Sequence, residues 1–208
     1  MHGIKKYFPL LGGFLLMVLT ISLIVGYTYQ ERSQVTPKNP SEIRITIQGE
    51  KTSVVRKYIQ DLNEMNPNLL GYCNEIVFTD KDVAEVAGVE DQMESGYNYL
   101  AITTGDGTIT LSSQKYKDTT LEHELYHCLD FRYRSDGESL SSHPHFLSIY
   151  DKEKNQLPIS SYLKSNPQET FAGCMLAYNK NPDELQSKAP YMFQYIQNMQ
   201  NQLQKSQS

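Results

Sequence analysis

The sequence predicts an α+β domain, a small mixed sheet followed by helices, behind one N-terminal transmembrane helix. Three observations carry this reading. Residues 8–27 hold no charged side chain. Strand-like alternation and a hairpin signal fill the stretch up to residue 113, and helical periodicity takes over from residue 118.

Residues 8–27, "FPLLGGFLLMVLTISLIVGY", have about the length that crosses a hydrocarbon layer of ~30 Å as a helix. Lys5 and Lys6 precede them, which places residues 1–7 in the cytoplasm and everything after the segment outside the cell. A cleaved secretory signal is the alternative, although its apolar part is usually only about 7–15 residues long; the domain would then be secreted. Residues 28–41 are polar, include Pro37 and Pro40, and read as a stalk. Residues 42–208 remain for the domain, a size that buries roughly 70% of its unfolded surface and can fold alone.

Within that domain, "IRITIQG" (43–49) alternates as a strand. Residues 52–65 follow with Val54, Val55, Tyr58, Ile59 and Leu62 at helical spacing, and Thr52 or Ser53 can cap them. "NEIVFTD" (74–80) reads as a second strand, and the acidic residues 80–94 fit no single pattern. "YNYLAITT" and "TITLSS" flank Gly105-Asp106-Gly107, a strong hairpin signal. Helices are expected over residues 118–132, 166–178 and 189–204, with a short one around 146–152.

Composition narrows the function. The net charge is −5 with no basic run after residue 6, so a nucleic-acid partner is not expected. Cys73, Cys128 and Cys174 are too few for a disulfide framework, and their odd number leaves at least one free. A Cys128–Cys174 bridge and buried free thiols both fit.

The chemistry concentrates in "LEHELYHCLD" (121–130), a His-Glu-x-x-His motif. On a helix advancing about 100° per residue, His123, His127 and Asp130 share one face, while Leu121, Leu125 and Leu129 fall opposite. Glu124 lies to the side of the point where the imidazoles converge, which suits a residue that handles a water and does not ligate. A catalytic zinc takes three protein ligands and keeps one position open. Glu169 can supply the third, from a helix that Asn166 caps and Pro167 opens. The bland readings are a helix with two incidental histidines, and a capping box in which Glu169 bonds only to backbone. Ala172 and Gly173 fall near Glu169 on its wheel and would let that helix approach another closely. His143 and His145 are rival ligands, expected on a surface loop because Pro144 separates them. Asp130 reads equally as a group orienting one of the motif histidines or as an exposed acid.

Tyr162, seven residues before Glu169 in "YLKSNPQETFA" and following "HELYH", makes the chain resemble the catalytic domain of anthrax lethal factor and the related secreted Pro-Pro endopeptidases. The terminal "APYMFQYIQNM" resembles the last helix of those domains. The likeness implies a zincin-type fold with one Zn²⁺ per chain held by His123, His127 and Glu169. It implies further that Glu124 acts on the water, that Tyr162 stabilises the transition state, and that an edge strand, here "TITLSS", pairs with an extended peptide. Tyr126 stands where these enzymes often have glycine, so its bulk must find room beside the site. The function expected on this basis is a membrane-anchored extracellular zinc metalloendopeptidase; the alternative is a catalytically idle surface adhesin of the same fold.

Overall fold

The computed structural model describes residues 35–92 and 99–205. The expected membrane segment at 8–27 lies outside these, and among the described residues no helix is long and apolar enough to cross a membrane.

Two parallel pairings and one hairpin build the sheet. Strand β1 (Arg44–Gln48) leads into helix α1 (Ser53–Leu62), whose N-terminus is capped by Thr52 accepting from Val55 N. Val55, Tyr58 and Leu62 are the buried face of α1, and the Tyr58 ring stacks on Phe78 at 6.0 Å. The short helix α2 (Pro67–Leu70) returns the chain to β2 (Glu75–Thr79), parallel to β1 with Ile45 opposite Ile76. Residues 80–94, unreadable by pattern, contain helix α3 (Val83–Ala87). Asp82 opens it by accepting from Ala84 N and Glu85 N, and Gly88 closes it in a left-handed conformation. Val83 and Ala84 form a small apolar cluster with Ile102.

Strands β3 (Ala101–Thr103) and β4 (Thr108–Ser112) make the expected hairpin. Gly107 needs to be glycine twice over: its φ is +84°, and a Cβ there would meet Tyr72 O at 2.6 Å. The strand order is β1-β2-β4-β3. "TITLSS" is therefore not the edge that the resemblance suggested: β4 lies between β2 and β3, and the edge belongs to β3. Thr110 and Ser112 are buried along with Ile109 and Leu111, because helix α3 and the first helix after the sheet pack against β4.

The helical half begins with α4 (Thr120–Arg132), which packs against β3 and, most extensively, against α6 (Pro167–Lys180). Chain entry into α4 is tight, with Thr119 held at φ +68°, a left-handed conformation that costs a β-branched residue roughly 1–2 kcal/mol. Helix α5 (Pro144–Glu153) precedes α6. Helix α7 (Pro182–Lys188) was not anticipated; Asn181 caps it by accepting from Glu184 N. The last helix, α8 (Pro190–Lys205), starts on the buried carboxylate of Glu153, which accepts from Tyr191 N (3.2 Å) and Met192 N (2.8 Å). The core runs between sheet and helices, with Ile76, Phe78, Ile109 and Leu111 facing Leu121, Leu125 and Leu129.

Candidate metal centre

Helical repeat alone brings His123 and His127 together, one turn apart on α4. Their Nε2 atoms stand 3.1 Å from each other, with the rings nearly perpendicular. Helix α6 presents Glu169 to both: Oε2 lies 3.2 Å from His123 Nε2, and Oε1 lies 3.7 Å from His127 Nε2. The capping-box reading of Glu169 fails. Asn166 caps α6 by accepting from Glu169 N at 2.9 Å, while the Glu169 carboxylate points to the histidines.

These separations fit a zinc-sized ion. Bonds of about 2.0–2.1 Å in tetrahedral array put neighbouring donors roughly 3.3–3.4 Å apart, close to the spacings seen between the three side chains. Among the described residues this is the one group of three His, Cys, Asp or Glu side chains close enough to share an ion. The electrostatics agree. Burial, with the charge of His123 adding to it, drives the His127 pKa down to about 3, so the ring is neutral as a ligand must be. Burial opposes ionisation of Glu169, but the His123 hydrogen bond, the charges of both histidines and the Tyr162 hydroxyl together hold its carboxyl below the usual value. Burial also lowers His123; the Glu169 hydrogen bond and the nearby carboxylates outweigh it and leave the pKa raised. Two imidazoles this close cannot both be cations. The His127 ring is held against Phe131, stacked at 5.8 Å.

Glu124 stands beside the donor group without joining it. It is 7% exposed, and burial raises its pKa against the opposing influence of His123 and a hydrogen bond from Thr103. That bond, Thr103 Oγ1 to Glu124 Oε2 at 2.7 Å, was not legible in the sequence. Thr103 belongs to a three-residue strand, and no motif or spacing links it to α4. With Oε2 engaged by the hydroxyl, Oε1 is the oxygen that a general-base role for Glu124 would use. Thr103→Val should therefore lower kcat by about tenfold, a modest share of the 10²–10⁴ that a positioned acid–base supplies, with metal affinity unchanged. Steady-state kinetics beside a zinc titration would check this, and an unaltered kcat would make the bond purely structural.

Tyr162 stands beside Glu169. The residue is 61% exposed, but its hydroxyl reaches Glu169. Its pKa is pushed up to about 12 by partial burial and then by the Glu169 and Glu124 charges, so it remains a proton donor across the neutral range.

Other expectations need correction. Asp130 is neither exposed nor bonded to a histidine: it accepts from Ser141 N (2.7 Å) and Ser141 Oγ (2.6 Å), fastening the loop before α5. Burial pushes its carboxyl up to about 7. Because the folded value exceeds the unfolded value of about 4, the stability this group contributes is full below pH 4 and is lost as pH rises through 7. Asp130→Asn should flatten that loss; urea unfolding of metal-free protein at pH 5 and pH 8 measures it.

Tyr126 does not crowd the cleft. It is 3% exposed and runs between α4 and α6, donating to Glu122 Oε1 (2.9 Å) and accepting from Asn179 Nδ2 (2.7 Å). His143 and His145 open helix α5 and do not sit on a loop; His143 Nδ1 accepts from His145 N, and the His145 ring meets Tyr195 edge-on. Neither joins the donor group. The three cysteines are free and buried, with Cys128 beside Cys73 and not Cys174. Gly173 packs on Leu163 and Ile159, so its small size serves the preceding loop and not an approach between helices.

The family model for the anthrax toxin lethal factor N- and C-terminal domain matches residues 38–199. No curated protein matches the chain. Among solved structures, the Pro-Pro endopeptidase PPEP-2 of Paenibacillus alvei matches with a TM-score of 0.56 at 15% identity, covering 74% of this chain and 96% of that one. At that identity the likeness is one of fold.

Proposed function

Because the chain belongs to the anthrax toxin lethal factor family, we propose that it is a zinc-dependent metalloendopeptidase that hydrolyses extended peptides. The observation that carries this is the convergence of His123, His127 and Glu169 from two helices, with Glu124 and Tyr162 beside them.

His123, His127 and Glu169 hold the ion. Bound there, zinc supplies a Lewis acid and lowers the pKa of a water to around 7. Glu124 takes the proton of the attacking water on Oε1 and hands it to the leaving amine. The Tyr162 hydroxyl donates to the carbonyl oxygen as negative charge grows on it. Strand β3 holds the substrate. Ser112 N donates to Leu100 O and Thr104 N to Thr108 O, so Leu100, Ile102 and Thr104 bond inward to β4. By the alternation of an antiparallel pair, the peptide groups of Ala101 and Thr103 face outward and can pair with an extended chain. Thr103 thus meets the substrate through its backbone and Glu124 through its side chain.

The enzyme acts outside the cell, tethered by residues 8–27, a reading supported by the uncharged segment behind Lys5 and Lys6. Protease digestion of intact cells should remove the domain; full protection would overturn the orientation.

Activity is tested with a peptide library that includes Pro-Pro sequences. Cleavage should be abolished by a chelator and restored by zinc. Zinc binding without any cleavage would favour an idle binding module, which has no need of Glu124 or Tyr162.

A further inference from the structure

An exposed tyrosine does not aim itself. Tyr162 is 61% exposed, so packing around its side chain is sparse, and besides the hydroxyl's bond to Glu169 its direction is set by the backbone that carries it. The turn over residues 160–165 closes on itself through Lys164 N to Ser160 O and Ser165 N to Tyr162 O. Those bonds shape the turn but do not attach it to the molecule. Three other contacts do. Thr170 Oγ1 donates to Leu163 O at 2.8 Å, Tyr150 OH donates to Lys164 O at 3.0 Å, and the Leu163 side chain lies on Gly173.

A larger residue at position 173 would press on Leu163, whose side chain would have to give by a few tenths of an ångström. A Cβ there would stand 3.1 Å from Leu163 Cδ1 and 3.2 Å from Leu163 Cβ. Glycine inside a helix is disfavoured, and this one is not in a left-handed conformation, so close approach is the remaining reason for it. Thr170 is 0% exposed and follows Glu169 directly in α6. One helix therefore holds both the metal-facing carboxylate and the anchor of the tyrosine turn.

We infer that Thr170 and Gly173 are positioning residues that set the distance and direction of the Tyr162 hydroxyl from the metal centre. This rests on the reading of Tyr162 as hydrogen-bond donor to the reacting carbonyl. Small displacements of such a donor are costly, since a misplacement of about 1 Å can remove 10²-fold in rate.

The test is a double-mutant cycle on the zinc-loaded full chain with a library-derived peptide. Tyr162→Phe should lower kcat by about 10²–10³-fold. Thr170→Val, which keeps the shape and deletes the donor, should lower kcat by about 10–100-fold with KM and zinc affinity unchanged, and Thr170→Ser should restore it. Gly173→Ala should lower kcat similarly without lowering the melting temperature, because alanine favours the helix while its methyl displaces Leu163. Combined with Tyr162→Phe, neither substitution should reduce kcat further. A full multiplicative loss in the double variants, or an unchanged kcat in both single ones, overturns the positioning role while leaving Tyr162 as donor. An unchanged kcat in Tyr162→Phe overturns the donor reading itself, and the positioning role falls with it.

Discussion

Replacing Glu124 with glutamine should leave zinc bound at one ion per chain and reduce kcat by at least the 10²–10⁴-fold that a positioned general base contributes. The expectation follows from where Glu124 sits. It is outside the three-donor group, so the ion loses no ligand. Glutamine has the same length and can still accept the Thr103 hydrogen bond through its amide oxygen. What it cannot do is take a proton at neutral pH. Stability should move the other way. Burial raises the Glu124 pKa, meaning that the ionised side chain is costly in the fold, and a neutral amide removes that cost. A higher melting temperature with lost turnover and full zinc occupancy would be the signature. Hydrolysis within tenfold of the unsubstituted protein would end the general-base role.

Glu169→Gln should weaken zinc binding by more than the 10–100-fold typical of losing a residue that merely orients a ligand. The backbone N–H of residue 169 supplies the bond to Asn166 that starts α6, so the helix should form normally in the variant. The change is then confined to the donor. An amide oxygen is a poorer ligand than a carboxylate, and the variant loses the charge that balances a divalent ion between two neutral imidazoles. Competition against a chelator of known affinity reads the effect. Undiminished affinity would mean that the third ligand lies elsewhere, outside the described residues.

Much of this architecture could be read from local pattern. Alternation located β1 and β2, Gly105-Asp106-Gly107 located the hairpin, and the 3.6-residue repeat put His123 and His127 on one face of α4. Glu169 could be nominated because Asn166 and Pro167 mark where its helix starts. What escaped was set by distant partners. Nothing within β4 announces that β2 will lie along its other side, so "TITLSS" reads as an edge strand. Asp130 has the helical phase of a histidine partner, but Ser141 claims it first. Tyr126 looked like an obstruction because the sequence does not reveal Asn179, which draws its hydroxyl away from the cleft. Gly173 looked like a helix-contact glycine because the loop that it accommodates comes earlier in the chain and folds back.

On the proposed reading, the brevity of β3 limits what can be digested. Three residues span about 10 Å, and just two of their amide units are turned toward a visitor. Main-chain capture on so small a ledge recognises an unfolded, straightened tract of any composition. Discrimination between targets then falls to the side chains flanking the cut, and compact proteins should resist digestion until a loop or tail is offered.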